Sequence, residues 1–268
     1  MLNRSLIIFI LSFCSIIFST AHSNDQLNFD ISQIEILDGG DKIIGKQRGT
    51  IETNDGLTIN ADEFEYDKNK NILKASGNIK IEDKTNDYNI SSQNIIYFKN
   101  SEKIEIKGNA NSLIYSKYNF KTEDLTILRD KKIITSDKRS TIIDKVNNTL
   151  YEISKFSYSI EDEIIKGEKI FINTKYNQPF SDKFYFETAI FNLQDKSYIA
   201  QDISIDLKKD TFGNKENDPR FKGVSSSSKN GVTTINKGIF TTCKKNDNCP
   251  PWTIQADKVT YDKDKKQI

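Results

Sequence analysis

Short segments in which apolar and polar residues alternate run through the chain from about Ile43 onward. Three of them are LTINA at residues 57–61, ILKASGNIKI at 72–81 and KIEIKGNA at 103–110. A period of two gives a β-strand one apolar and one polar face. β-Branched Ile and Thr occur almost everywhere, and no long segment keeps a helical period of apolar residues. The sequence therefore predicts an all-β fold.

The apolar positions change phase within a single repeat. They are odd-numbered before residue 62, even-numbered just after it, and odd-numbered again in the next segment. In order, these residues are Leu57, Ile59, Ala61, Phe64, Tyr66, Leu73, Ala75, Ile79 and Ile81. Because side chains alternate strictly along a strand, such a change requires a bulge or bend. The pattern predicts one near Asp62 and Glu63.

The same pattern recurs along the chain. Ile90 and Ile95 show the next change of phase, and Gly77 and Gly108 stand 31 residues apart. The phrase INADEFEYDKNKNIL at 59–73 returns as IQADKVTYDKDKKQI at 254–268. A period in this range predicts stacked units that cannot bury their apolar faces singly, here two packed, bent sheets. The last copy ends in mid-repeat, so we expect a fragment of a longer protein.

Composition divides the chain into segments. Residues 1–23 combine Arg4, a short apolar run at 5–19 and a small-x-small site at 21–23, as in a secretory signal peptide. An N-terminal arm is predicted at 24–40 and the main β-domain at 41–209. Residues 210–238, which contain Pro219 and four consecutive serines at 225–228, are predicted to form a long mobile loop. The cysteine segment and the start of a further repeat occupy 239–268.

Charge and histidine content exclude several functions. Without residues 1–23 the chain has 38 basic and 38 acidic residues, whereas a protein that binds nucleic acid through its phosphates is expected to carry a basic excess. The single histidine, His22, lies at the predicted cleavage site. Catalytic triads and histidine metal sites are therefore not expected. Catalysis by carboxylates alone remains open.

The inner faces of the predicted sheets would form either a filled core or an apolar groove, because alternation does not separate the two. A groove that buries an acyl chain gains about 0.8 kcal/mol per CH₂, and an open side would let the chain slide between equivalent rungs. The candidate lipid-binding residues share one apolar face: Ile59, Ala61, Phe64, Leu73, Ala75, Ile79, Ile81, Ile90, Ile95, Ile104 and Ile106.

Two cysteines lie close together near the end of the chain, Cys243 and Cys249, and the second is followed by Pro250, Pro251 and Trp252. Their spacing is not that of a CxxC redox motif, and an exported protein favours disulfides. The bridge could join these two cysteines locally or join either of them to a part of the protein beyond this chain.

The stretch from residue 218 to 266, with GIFTTC, CPPW and the phrase IxADxxxYD, resembles the N-terminal periplasmic, OstA-like region of the outer-membrane lipopolysaccharide-assembly family LptD, in its alphaproteobacterial form. The phrase is also similar to the repeat of the soluble bridge family LptA. This resemblance implies an open, twisted β-jellyroll with an apolar groove, exported to the periplasmic face of the outer membrane. It also implies that disulfides link this domain to a β-barrel.

The resemblance implies a lipid-transfer module rather than an enzyme, with no cofactor and no metal. It would receive the acyl chains of lipopolysaccharide from an LptA-like bridge protein, which adds to an edge strand. It would pass them to a C-terminal β-barrel that is assisted by an LptE-like lipoprotein. The present sequence contains no barrel strands of the outer-membrane type.

Two other functions remain as alternatives. A secreted β-solenoid could cleave polysaccharide with paired carboxylates, which would require acids clustered on consecutive rungs. Asp62 and Asp257 occupy corresponding bends of repeats that are far apart in the chain. A structural or adhesive repeat protein would need neither a groove nor a barrel.

Overall fold

The computed structural model describes residues 27–245 and 252–268, which form one antiparallel sheet of 17 strands. The predicted all-β fold is confirmed, and its form is jellyroll-like. Single-turn 3₁₀ helices lie at Asp38–Gly40 and Lys99–Ser101, and no helix in the described residues is long and apolar enough to cross a membrane. The predicted signal peptide lies outside the described residues.

Every pairing between strands of the sheet is antiparallel. The strands are β1 Asn28–Leu37, β2 Lys42–Glu52, β3 Leu57–Ala61, β4 Glu63–Asp67, β5 Ile72–Asp83, β6 Tyr88–Phe98, β7 Lys103–Ile114, β8 Tyr118–Leu128, β9 Ile133–Ser136, β10 Ser140–Asp144, β11 Thr149–Ser159, β12 Ile164–Thr174, β13 Lys183–Asn192, β14 Tyr198–Asp206, β15 Arg220–Lys229, β16 Val232–Thr241 and β17 Ile254–Asp262.

Two pairs of short strands reveal how the sheet is bent. β3 and β4 both pair with β2 on one side and β5 on the other, and β9 and β10 are shared in the same way by β8 and β11. Each long strand therefore crosses from one wall to another. We define the first wall as β4, β9 and the strand halves continuous with them, and the second wall as β3, β10 and the halves continuous with those.

The bend that the phase change predicts at Asp62 is confirmed. The Asp62 backbone N–H donates to the carbonyl oxygens of Ser76 and Gly77, at 3.1 and 3.0 Å. Gly77 and the next residue, Asn78, have φ values of 76° and 44°, and the β5–β6 register shifts between Ser76 and Ile79. This is a bulge with glycine in the left-handed region, which turns the strand. Gly108, with φ of 81°, forms the equivalent bulge in β7.

Residues with positive φ mark this bend in alternate strands of the sheet. They are Gln47, Asn78, Asn109, Lys169, Asp202 and Lys237. Along this row of bends each wall continues into the other. The turns at the outer ends of the strands form two further rows, one on each wall. Aromatic pairs such as Phe120 with Tyr158, whose centroids are 5.1 Å apart, connect the second wall to the first. The walls therefore pack face to face.

The repeated phrase is a structural unit. Its tyrosine, Tyr66 or Tyr261, is 8 % exposed in both copies and points into the interior. The aspartate that follows, Asp67 or Asp262, accepts a 3.0 Å hydrogen bond from the backbone N–H three residues later and so closes the turn. The phrase thus specifies one inward aromatic, one bend and one turn.

Residues 210–238 do not form the predicted long loop, because most of them belong to the β15–β16 hairpin. Asn230 and Gly231 have φ values of 50° and 77°, as in the two-residue turns that join hairpin strands. Gly223 is needed for packing, since a Cβ there would lie 2.4 Å from Cγ2 of Ile235. The irregular part is confined to the connection between β14 and β15. The predicted N-terminal arm, 24–40, likewise contains the edge strand β1.

Candidate functional site: an apolar pocket between the two walls

The structure brings the eleven candidate lipid-binding residues together in the interior, on strands β3 to β7. Each is at most 5 % exposed, and all belong to one hydrophobic core: Ile59, Ala61, Phe64, Leu73, Ala75, Ile79, Ile81, Ile90, Ile95, Ile104 and Ile106. Between β3 and β7 these side chains themselves fill the space between the two walls. They do not line the apolar pocket that the structure contains between the walls.

That pocket lies farther along the chain, between β10 and β17, and has a volume of about 290 Å³. It is bounded by the inner faces of both walls and by the two rows of turns. The apolar and aromatic side chains of its lining are Tyr151, Ile172, Phe184, Phe191, Leu193, Tyr198, Ile205, Leu207, Phe221, Ile235 and Tyr261. Its volume is near the lower end of the range for pockets that bind small molecules.

Aromatic rings from opposite walls meet around this pocket. Phe184 of the second wall lies 6.4 Å from Tyr198 of the first, between ring centroids, and Tyr151 lies 6.3 Å from Phe191. Phe221 and Tyr261 form a similar pair at 5.8 Å. The pocket is the space left between these rings and the aliphatic side chains around them.

Burial keeps the phenol groups of the pocket neutral. Burial, with a smaller contribution from Asp144, raises the pKa of Tyr151, and burial also raises the pKa of Tyr198. The pKa of Tyr261 is raised to about 12, first by burial and then by the charge of Asp182. The tyrosines therefore contribute aromatic surface and uncharged hydroxyls to the pocket near neutral pH.

The mouth of the pocket is polar and lies between the two rows of turns. Asp144 and Asp182 come from turns of the second wall, whereas Asp195, Lys196 and Lys263 come from turns of the first. Lys263 Nζ reaches across the mouth to Asp182 Oδ2 at 3.5 Å. An apolar interior with a charged rim is suited to an amphiphile whose hydrocarbon part enters and whose polar part remains in water.

Sequence reasoning did not find the residues of this pocket. Residues that fill a core and residues that line a cavity alternate in the same way, so phase does not distinguish them. Two signals were present in the sequence: Phe or Tyr occupies the inward positions 184, 186, 191 and 198 in close succession, and small side chains occupy Ser226 and Ser228 of β15. Large planar residues next to small ones are less able to fill an interior completely.

The cysteine segment lies at the edge of the sheet. Cys243 Sγ is 3.7 Å from the Trp252 carbonyl oxygen, and Thr241 donates a 2.9 Å hydrogen bond to the same oxygen. Trp252 packs against Phe240 with 5.9 Å between ring centroids. Cys249 lies outside the described residues, so the disulfides predicted for Cys243 and Cys249, with each other or with a part of the protein beyond this chain, stay predictions.

The acids considered for catalysis are in separate places. Asp62 Oδ1 accepts a 2.9 Å hydrogen bond from Arg48, and Asp257 pairs with Lys237 at the matching bend of the last repeat. Each carboxylate is therefore bound to its own cation rather than to a second carboxylate. Among residues 27–245 and 252–268, no group of three or more His, Cys, Asp or Glu side chains is arranged to hold a metal ion.

No family model matches the chain, and no curated protein matches it.

Proposed function

We propose that this chain is a lipid-binding and lipid-transfer module that takes an acyl chain into the pocket between β10 and β17. The observation that carries the proposal is the combination of an aromatic and aliphatic interior with a mouth of charged side chains. Burying an acyl chain of roughly twelve carbons gains on the order of 10 kcal/mol. A mouth that opens to solvent between two rows of turns lets such a chain enter and leave sideways.

Lipopolysaccharide is the lipid that we propose. The resemblance of residues 218–266 to the LptD family supports it, as does the jellyroll-like fold with two walls that face each other. On this proposal the module works at the periplasmic face of the outer membrane and catalyses no reaction. It passes acyl chains toward a β-barrel assisted by an LptE-like lipoprotein.

The edges of the sheet support a bridge partner. Among the described residues β1 pairs only with β2, and β17 pairs with β16 along its length. Ile34 and Ile36 of β1 and Ile254 of β17 are exposed at these edges. Unpaired edge strands can accept another strand by backbone hydrogen bonding. An LptA-like protein that adds to one edge would extend the two walls and the space between them.

Photo-cross-linking tests the proposal on the whole chain. Lipopolysaccharide with a diazirine in one acyl chain would be bound and irradiated, and the labelled peptides identified by mass spectrometry. We expect labels on residues that line the pocket, such as Phe184, Ile205 and Phe221. Labels confined to the outer faces of the sheet, or no labels above those given by a diazirine-bearing sugar without acyl chains, would contradict it.

A further inference from the structure

A buried arginine ties the two rows of turns together in the first half of the domain. Arg129, in the turn after β8, has a side chain that is only 4 % exposed. Its guanidinium nitrogens lie 2.9 Å from Asp83 Oδ2 and 2.9 Å from Asp55 Oδ2, and it also pairs with Glu102. Asp55 and Asp83 belong to turns of the second wall, whereas Arg129 and Glu102 belong to turns of the first. The arginine therefore spans the side of the domain where the walls could separate.

The cluster of these four residues, which we call the clasp, is supported from inside the domain. Tyr97 donates its hydroxyl to Glu102 at 2.8 Å, and Asn86 donates two hydrogen bonds of 2.9 Å to Asp83. Burial alone would lower the pKa of Arg129, but its hydrogen bond to Asp83 and the nearby negative charge raise it. Asp83, whose side chain is fully buried, is held between a cation and two donors.

A second tie lies closer to the pocket. Glu163, in a turn of the first wall, accepts hydrogen bonds from Lys117 at 2.9 Å and from the Tyr118 hydroxyl at 2.7 Å. Both donors belong to the second wall. Tyr115, in the same turn as Lys117, donates a hydrogen bond to the Ile160 carbonyl oxygen at 3.0 Å. Beyond this point one ion pair of the described residues crosses the mouth, Lys263 with Asp182 at 3.5 Å, and its lysine side chain is 58 % exposed.

The ties thus weaken along the domain from a buried ion cluster to one exposed pair, and the interior changes in parallel from filled to open. We infer that the clasp keeps the first half of the interior closed, so that the acyl chain is held in the pocket between β10 and β17. An acyl chain occupies the space among Ile79, Ile95 and Ile104 only when the clasp opens. The part of this inference that concerns the acyl chain rests on the proposed function.

The charges of the clasp explain why it can open as a unit. Asp55, Asp83 and Glu102 face one cation, so the group carries an excess of two negative charges when Arg129 is in place. Without the guanidinium three carboxylates would repel one another at the seam of the two walls. Loss of that one side chain should therefore release both rows of turns at this level of the domain.

The test combines cross-linking with hydrogen exchange. Arg129→Gln removes the cation, and Arg139→Gln is the control, because Arg139 is an exposed arginine that pairs with Glu152 on the surface. In the unaltered protein we expect lipopolysaccharide labels from an acyl-chain diazirine at least fivefold more often in β11–β17 than in β5–β9. Arg129→Gln should make the two halves about equal and speed amide exchange in the turns at 83–88 and 128–133, whereas Arg139→Gln should change neither.

The possible results separate the inference about the clasp from the proposed function. Equal labelling of both halves in the unaltered protein, or unchanged labelling and exchange in a folded Arg129→Gln variant, would overturn the inference while the proposed function stands. Absence of labels anywhere would contradict the proposed function, and hydrogen exchange would then decide whether the clasp closes the interior. If Arg129→Gln does not fold by circular dichroism, Asp55→Asn is used, because Asp55 is the most exposed arm of the clasp, and faster exchange in the same turns is expected.

Discussion

The backbone N–H of Asp62 donates to the carbonyl oxygen of Gly77, and no room remains for a side chain at that glycine. A Cβ on Gly77 would lie 2.7 Å from Asp62 Oδ2, and φ of Gly77 is 76°. In the next repeat Gly108 has a similar φ of 81°, but its nearest neighbour, Gln93 Cβ, would be 3.7 Å from a new Cβ. Two equivalent bends thus differ in the space around the glycine.

The two glycines give the first prediction. Gly108→Ala should lower the free energy of unfolding by about 1–2 kcal/mol, the cost of a left-handed conformation for a residue with a Cβ. Gly77→Ala should cost more, by about a further 1–3 kcal/mol, because Asp62 must also move. Urea unfolding of the two variants measures the difference. Equal losses would show that Asp62 does not restrict the bend.

The filled half of the interior gives the second prediction. Ile104 is fully buried, so Ile104→Ala should lower the free energy of unfolding by about 2–5 kcal/mol. Ile199 is 66 % exposed on the outer face, so Ile199→Ala should change the free energy of unfolding by at most about 0.5 kcal/mol. Denaturant unfolding of both variants checks this. A loss below about 1 kcal/mol for Ile104→Ala would indicate an interior that is not packed.

The phase of the apolar residues was sufficient to predict the strands, the bend at Asp62 and the inward set that includes Ile79 and Ile104. Each of these depends on local alternation, which a single sequence records. The pocket could not be predicted because its space depends on how Phe184, Tyr198 and Phe221 fit together across the two walls, which alternation along one strand does not record. The β15 strand was missed because its serines suggest a loop, whereas its pairing with β16 is set by the Asn230-Gly231 turn and by packing of Gly223 on Ile235.

Alkaline pH gives a third prediction. Burial raises the pKa of nine of the eleven tyrosines: Tyr66, Tyr88, Tyr97, Tyr115, Tyr118, Tyr151, Tyr158, Tyr198 and Tyr261. At about pH 11, one unit above the ordinary pKa of about 10, most of them should stay protonated in the folded protein and ionise in denaturant. Tyrosinate absorbance measures this directly.

The sign of the stability change follows from the same shifts. The folded protein disfavours the charged phenolate, and its tyrosine pKa values are therefore higher than those of the unfolded chain. Their contribution to the free energy of unfolding is complete below about pH 10 and is lost as the pH rises through the folded values. For Tyr261 that value is about 12. Complete ionisation of the tyrosines at about pH 11 without loss of β-structure would contradict the buried positions of these rings.

Acid pH affects the tie at Glu163. Burial alone would raise the pKa of Glu163, but hydrogen bonds from Tyr118 and Lys117 lower it below its ordinary value of 4.5. A depressed folded pKa means that the unfolded chain binds more protons, so this stabilisation is present above pH 4.5 and is lost as the pH falls through the folded value. The free energy of unfolding should therefore fall in acid, and Glu163→Gln should make that fall shallower. An identical pH dependence in the variant would exclude the contribution of Glu163.

Two adjacent serines of β15 provide a direct test of whether an acyl chain occupies the pocket between β10 and β17. Ser228 lines the pocket, and Ser227 is exposed on the opposite face of the same strand. Lipopolysaccharide affinity would be measured for Ser228→Trp and Ser227→Trp, with thermal unfolding to verify that both fold. We expect Ser228→Trp to weaken lipopolysaccharide binding at least tenfold and Ser227→Trp to leave it within about twofold of the unaltered protein. These changes correspond to about 1.4 and 0.4 kcal/mol of binding free energy. Unchanged affinity in a folded Ser228→Trp variant would contradict the presence of an acyl chain in this pocket.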